Sequence, residues 1–228
     1  MKMQAGVEYS VDVEVEKDSV KKRYIDAAIA VMEKEGLSAV TARRVSGMVG
    51  MNPANIYRHF ADLNELRMFA SLSILKEYLL AMRAHFSKTQ DSYENLIQSW
   101  EIFCENAFQN ILVFDQMFFG VNRDRLPEIA KEYYELYPEQ LEGFDGSWKD
   151  VVTSGSFEER CRIALQQCCK AGYFRQDDLE TMIEVPRYLF MGYLHEALLS
   201  PDDTQKMQRL SQECMNYLKR FFRMHRQR

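Results

Sequence analysis

Apolar side chains recur at intervals of three and four along most of this chain, the rhythm of helices that bury one face. The first clear run predicts a helix from about Asp18 to Glu35. Tyr24, Ile25, Ala28, Val31 and Met32 share one face, Asp18 or Ser19 can cap the start, and Gly36 ends it. Leu37 is expected to fold back onto that face. Two much shorter segments follow. Thr41 is a good N-cap for the first, whose buried stripe is read as Val45, Met48 and Val49. Gly50-Met51-Asn52 then breaks the pattern. Glycine supplies turn geometry, Met51 an apolar plug, and Asn52 a cap for a helix that starts at Pro53 and runs to about Phe60. Ile56 and Phe60 are its inward residues.

Asp62-x-x-Glu65 opens a further helix with an Asp variant of the capping box, predicted over Leu63–Phe86. Helices are also expected near Ser92–Asn110, Ile111–Asn122, Pro127–Tyr137, Phe157–Gly172, Leu179–Leu199 and Thr204–Arg226, the fifth of them kinked by Pro186. Glu142–Gly155 is the best loop candidate. A chain with only 10 Gly and 5 Pro has few of the turns that β folds need, and 46% apolar residues are enough for a core. The predicted fold class is therefore all-α. It divides into a flexible N-terminal arm at 1–17, a three-helix module with a helix-turn-helix at 18–61, and a larger helical body at 62–228.

Charge sharpens the division. The whole chain carries −5, which excludes a generally basic nucleic-acid binder. Residues 17–67, however, hold nine Lys and Arg against six Asp and Glu, and residues 70–228 hold 19 against 24. A locally basic segment on an acidic body can still find phosphates, because the attraction acts within about 10 Å. The five cysteines are odd in number and none has Cys-x-x-Cys spacing, so neither a disulfide framework nor a zinc site is expected. Reduced packing residues fit better, with thiol sensing at Cys168 or Cys169 the sharper alternative. No apolar run reaches the ~18 residues of a membrane span, and the acidic N-terminus lacks the apolar stretch of a secretory signal. The expectation is a cytoplasmic protein with no membrane partner.

The stretch Thr41–Leu66 carries the chemistry. Two short helices joined by a Gly-containing turn can set the second helix into a major groove. That groove is only about 12 Å wide, so the inserted helix must be slim where it meets bases. Pro53, Ala54 and Asn55 are compact at its start. Asn52 and Asn55 can hydrogen-bond base edges or phosphates, and Tyr57, Arg58 and His59 can donate to phosphates. Thr41 offers a hydroxyl and free backbone N–H groups to a phosphate, and Arg43 and Arg44 add charge on that side. The bland reading of the same residues is a packed three-helix core unit.

These residues also resemble the TetR family of bacterial transcriptional regulators. Gly50-Met51-Asn52-Pro53-Ala54-Asn55-Ile56-Tyr57-Arg58-His59-Phe60 is similar to the family's turn and recognition helix, and Ala28–Thr41 to its first helix and following loop. The likeness covers about residues 20–66. Farther on, Ala171–Arg175 and Asp177-Asp178-Leu179 resemble a recurrent boundary before the dimerisation helices. Two positions depart from the pattern. Leu63 stands where the family usually has Lys, removing one phosphate contact, and Ala54 stands where it often has Gly, adding a methyl that can touch thymine.

A single helix-turn-helix makes too few phosphate contacts for tight binding, so the mechanism needs two copies about 34 Å apart. The last two predicted helices carry apolar stripes that suit either a core or an interface. The resemblance implies an interface, a four-helix bundle with Leu189, Tyr193, Leu210, Cys214, Tyr217 and Phe221 at the seam of a homodimer. The middle helices are rich in large side chains, which line both cores and ligand sites. The resemblance implies a small apolar or aromatic effector near Trp100, Phe103, Phe114, Met117, Phe118, Tyr134 and Tyr193, with the helix from Leu63 linking effector to DNA. It also implies a repressor acting at a double-stranded DNA operator. No catalytic residue, metal or cofactor is expected, since the four His are dispersed and no phosphate loop or nucleophile motif occurs. The alternatives are a ligand-independent nucleoid or cell-division factor on the same fold, or an enzyme.

Overall fold

A computed structural model describes residues 5–86, 91–120, 123–144 and 157–227, all of them helices and connecting turns without a strand. They form two compact units. One comprises the chain up to Ser73 together with Glu128–Glu142; the other comprises Ile74–Pro127 and the chain from Gly143.

The first unit is built from α1 (Ala5–Glu35), α2 (Ala42–Val49), a 3₁₀ segment (Pro53–Arg58), α3 (Leu63–Leu72) and most of α7 (Leu126–Leu136). The predicted face of α1 is its core, with Tyr24, Ile25, Ala28, Val31 and Met32 buried, and Leu37 folds back as expected. Val45, Val49, Ile56, Phe60, Leu66 and Phe69 complete it. Phe60 meets Tyr24 edge-on at 6.3 Å and Phe69 at 5.7 Å. Lys21 is buried here. Its ammonium lies 4.5 Å from the Phe69 ring centre and 5.2 Å from that of Phe60, and pairs with Glu132 at 2.5 Å. A buried lysine is tolerable only with such partners. Lys22 donates to the Leu136 carbonyl at 3.1 Å, and the Tyr137 hydroxyl donates to Asp26 at 2.7 Å. Burial, then the Asp26 carboxylate, push the Tyr137 phenol well above its ordinary value. The segment Glu128–Glu142 thus packs on α1, although its sequence position suggested the body.

Several boundaries differ from the sequence reading. α1 begins at Ala5 rather than Asp18, because nothing between Val7 and Glu35 breaks a helix and extending a formed one is easy. Met48 is 56% exposed and Ser46 is buried in its place, since positions 45, 46 and 49 of a 3.6-residue period face the core. The helix predicted over Leu63–Phe86 is interrupted at Ser73–Ile74, where the second unit begins. The hydroxyls of Ser71 and Ser73 there donate to the carbonyls of Arg67 and Ala70, both at 2.8 Å, competing with the helical bonds.

The second unit contains α4 (Leu75–Phe86), α5 (Ser92–Gln109), α6 (Ile111–Phe114), α8 (Phe157–Lys170), α9 (Leu179–Leu198) and α10 (Thr204–His225). α6 widens into a π-turn at Asp115–Phe119, where a single helix to Asn122 was expected. Asp91 caps α5 by accepting from the Glu94 N–H at 2.8 Å, and the Tyr173 hydroxyl donates to its other oxygen at 2.5 Å. The core is aromatic. Phe103 lies 4.9 Å from Phe190, 5.5 Å from Phe114 and 5.9 Å from Trp100 between ring centres. Every cysteine is a free thiol. Burial pushes Cys168 up to about 12 and raises Cys169, so neither supplies a thiolate near neutral pH. The loop candidate Glu142–Gly155 lies outside the described residues beyond Phe144. No described helix is long and apolar enough to cross a membrane.

Candidate nucleic-acid interface

The turn between α2 and the 3₁₀ segment is defined by a few local bonds. Thr41 is extended, and its Oγ1 accepts from the Arg44 N–H at 3.4 Å. Gly50 closes α2 with φ 77°, a left-handed conformation that glycine adopts without strain, and the Met51 N–H bonds the Ser46 carbonyl at 2.9 Å. The Arg23 guanidinium donates to the Val49 carbonyl at 2.8 Å, tying α1 to the end of α2. The Asn52 side chain accepts from the Ala54 N–H at 2.9 Å, and Pro53 follows at the first helical position.

Met51 acts as the plug. Its sulfur receives the Tyr24 hydroxyl at 3.4 Å and the Asn55 side-chain amide at 3.1 Å. The segment after it is a 3₁₀ helix where an α-helix was expected, so it is slimmer and tighter than the sequence suggested. Ile56 and Phe60 point inward, at 0% and 2% exposure. Pro53, Ala54, Tyr57 and Arg58 remain exposed, Tyr57 to 58%. Asn55 is half-buried through its bond to Met51, and His59 is half-buried with its ring 5.8 Å from Tyr24. Thr41, Arg43 and Arg44 are exposed on α2. Arg44 is engaged by Glu35, while Arg43 has no ion pair among the described residues. All ten sequence-predicted residues lie within Thr41–His59; Arg43, Pro53, Ala54, Tyr57 and Arg58 are exposed, while Thr41 and Asn52 are exposed but engaged as caps. The engagement of Arg44 by Glu35, nine positions away, carried no signal in the sequence. Leu63 is half-buried at the start of α3.

The second unit holds a cavity of about 390 Å³ walled by Phe118, Phe119, Phe157 and Tyr188, with Met117 and Met191 beside them. Met117 and Phe118 stand where the sequence reading placed ligand contacts. Trp100, Phe103 and Phe114 do not; at 5%, 4% and 0% exposure they close the core behind, because rings packed edge to face leave no room for a guest. Tyr134 is buried in the first unit, 5.3 Å from Tyr133. Tyr193 lies 6.4 Å from Tyr217 instead. A second, larger groove of about 640 Å³ has a mixed lining, with Glu101, Gln109 and Gln212 beside Phe108, Met207 and Met215.

The seam residues also need correction. Leu210 and Cys214 are 4% and 0% exposed within a single protomer, on the face of α10 that carries Met207 and Leu218. They pack internally and present nothing to a partner. Tyr217 is 54% and Met224 72% exposed, with Phe221 partly exposed between them at helical spacing. On α9, Val185 and Tyr188 are 42% and 59% exposed, Leu189 and Tyr193 partly so, and Gly192 leaves open space. Among the described residues, no group of three or more His, Cys, Asp or Glu could hold a metal ion.

Comparison with known proteins finds that residues 25–67 match the model of the family "bacterial regulatory proteins, tetR family". No curated protein matches the chain. A solved structure described as a TetR-family transcriptional regulator from Mesorhizobium loti is similar, with a TM-score of 0.54 at 14% identity, over 91% of this chain and 97% of that one. Another is the fatty acid degradation regulator FadR from Bacillus halodurans, with a TM-score of 0.51 at 14% identity, over 87% of this chain and 94% of that one. At such identities the likeness concerns the fold.

Proposed function

We propose that the chain is a DNA-binding transcriptional regulator of the TetR family, as the match at residues 25–67 supports, and that it is a homodimeric repressor released from its operator by a small apolar or aromatic compound. One observation carries the DNA reading. Between Thr41 and His59 the apolar anchors Val45, Val49 and Ile56 point inward, while most of the residues able to meet a duplex stay outside, Asn55 and His59 being half-buried. Thr41, Arg43, Tyr57 and Arg58 hold the phosphates, with Asn52 and His59 at the edges. Pro53, Ala54 and Asn55 face the bases, Ala54 suiting a thymine methyl. Arg44 joins them once it leaves Glu35. Residues 18–61 read DNA in this scheme and residues 62–228 regulate and dimerise, although α3 and Glu128–Glu142 belong to the first compact unit.

The exposed apolar residues of α9 and α10 support the dimer. Val185, Tyr188, Leu189 and Tyr193 on one helix, and Tyr217, Phe221 and Met224 on the other, make a surface that burial against a symmetry mate would stabilise. The aromatic cavity supports the effector, because its size and walls suit a small guest. Such a compound releases DNA only if it binds better to the state whose recognition segments are wrongly spaced. The test is a selection of bound fragments from random duplexes, with sedimentation of the protein alone and with the enriched site. The expected outcome is a two-fold symmetric site with half-sites about 10 base pairs or a multiple apart, bound by a dimer. A strictly monomeric particle, or no enrichment, rejects the proposal.

A further inference from the structure

We propose that the cavity walled by Phe118, Phe119, Phe157 and Tyr188 takes an aromatic carboxylate, whose anionic end is held side-on by Arg187. This rests on the effector reading above and names the class of compound. The ring centres of Phe118 and Phe119 lie 6.1 and 5.7 Å from that of Phe157, so the three rings pack into one aromatic wall beside a space of about 390 Å³. A flat aromatic body matches such walls, because offset and edge contacts recover the packing that an open space lacks. The floor includes the π-turn Asp115–Phe119, a widened helical geometry that recurs at functional sites.

The charged lining decides the rest. Arg123 and Asp124 are 53% and 88% exposed and pair with each other at 3.7 Å. Arg187 is the most buried charged group in the lining, at 22% exposure, with its guanidinium 4.6 Å from the Tyr188 ring centre. Its Nη1 donates to Glu158 at 2.5 Å, but its Nε is buried without a hydrogen-bond partner among the described residues. Guanidinium is a fork, and a carboxylate approaching side-on bonds Nε and a terminal nitrogen together. Glu158 uses only one prong. It is also 54% exposed, so returning it to water is easy when another anion arrives. An incoming carboxylate satisfies the orphaned Nε, replaces Glu158 and leaves its aromatic body against the wall of rings. A neutral amide or alcohol of the same shape keeps the ring contacts but cannot bond both prongs as an anion, so it does not displace Glu158.

The experiment is calorimetric titration of the full chain with 2-naphthoate and with 2-naphthamide, for the natural protein and for Arg187→Gln, Arg187→Lys and Glu158→Gln. Naphthoate should bind about tenfold or more tighter than naphthamide. Arg187→Gln should erase that preference, Arg187→Lys should weaken it by removing the fork, and Glu158→Gln should tighten naphthoate binding by removing its competitor. Equal binding of the two compounds by the natural protein, or a preference that survives Arg187→Gln, overturns the carboxylate class and leaves the effector cavity standing. Binding of neither compound by the folded protein overturns both. The comparison in the natural protein and in Glu158→Gln decides the matter even if the Arg187 variants fail to fold.

Discussion

Arg43 and Arg44 are neighbours on α2, equally basic and both exposed, yet they should contribute differently to DNA binding. Arg43 has no ion pair among the described residues, whereas Arg44 is engaged by Glu35 at the end of α1. Replacing Arg43 by Ala removes one phosphate contact from each protomer. With about 0.9 counterions released per contact, the dimer's log–log salt slope should become shallower by about 1.8. Between 50 and 200 mM salt, the natural protein should then lose about 12-fold more affinity than the variant. At 0.1 M the variant should bind roughly 60-fold more weakly, taking 1 M as the salt at which this contribution vanishes. Arg44 must first leave a partly exposed partner, worth up to about 1 kcal/mol. Arg44→Ala should therefore cost less than Arg43→Ala by up to about fivefold per protomer. Glu35→Gln, which frees Arg44, should strengthen binding. Fluorescence anisotropy at three salt concentrations, on the selected duplex and on a scrambled one, measures all three variants. Because these side chains lie on the surface, folding stability should change by no more than about 0.5 kcal/mol. A salt slope for Arg43→Ala equal to that of the natural protein on both duplexes would refute the reasoning.

Three further outcomes are expected. Asn55→Ala should alter base preference at one position of each half-site, by about 1–3 kcal/mol for the base it reads, with little change on scrambled DNA; repeating the duplex selection checks this, and an unchanged preferred site argues that Asn55 serves only to hold Met51. Tyr217→Glu combined with Val185→Glu should yield folded monomers by sedimentation, whereas Leu210→Ala should destabilise the protomer itself by about 2–5 kcal/mol in urea unfolding; an intact dimer in the first case would reject the seam. Asp91 is held below the usual carboxylate range, chiefly by the Tyr173 hydroxyl and then by backbone N–H groups of α5. Its contribution is fully present above the unfolded value of about 3.9 and is lost as pH falls through the lower folded value. Tyr173→Phe should therefore be less stable than the natural protein at pH 6, with the gap narrowing towards pH 2; a gap independent of pH would contradict the linkage.

The sequence by itself determined the helix-turn-helix. Thr41, Gly50, Asn52, Pro53 and Asp62 act on their own backbone or that of near neighbours, so caps and turns could be read position by position, and the inward faces of α1 and the recognition segment followed from their period. Tertiary structure decided what local rules cannot reach. Whether Phe103 would close a core or line a space depended on α9 bringing Phe190 against it. Leu210 and Cys214 turned inward because α10 offers one apolar face to its own protomer and a different one to the outside. The pairing of buried Lys21 with partly exposed Glu132, more than a hundred residues apart, joined part of α7 to α1 and moved the boundary between units. Each of these outcomes depends on which surfaces meet across long stretches of chain, and periodicity along one helix specifies only that a face is buried, not against what.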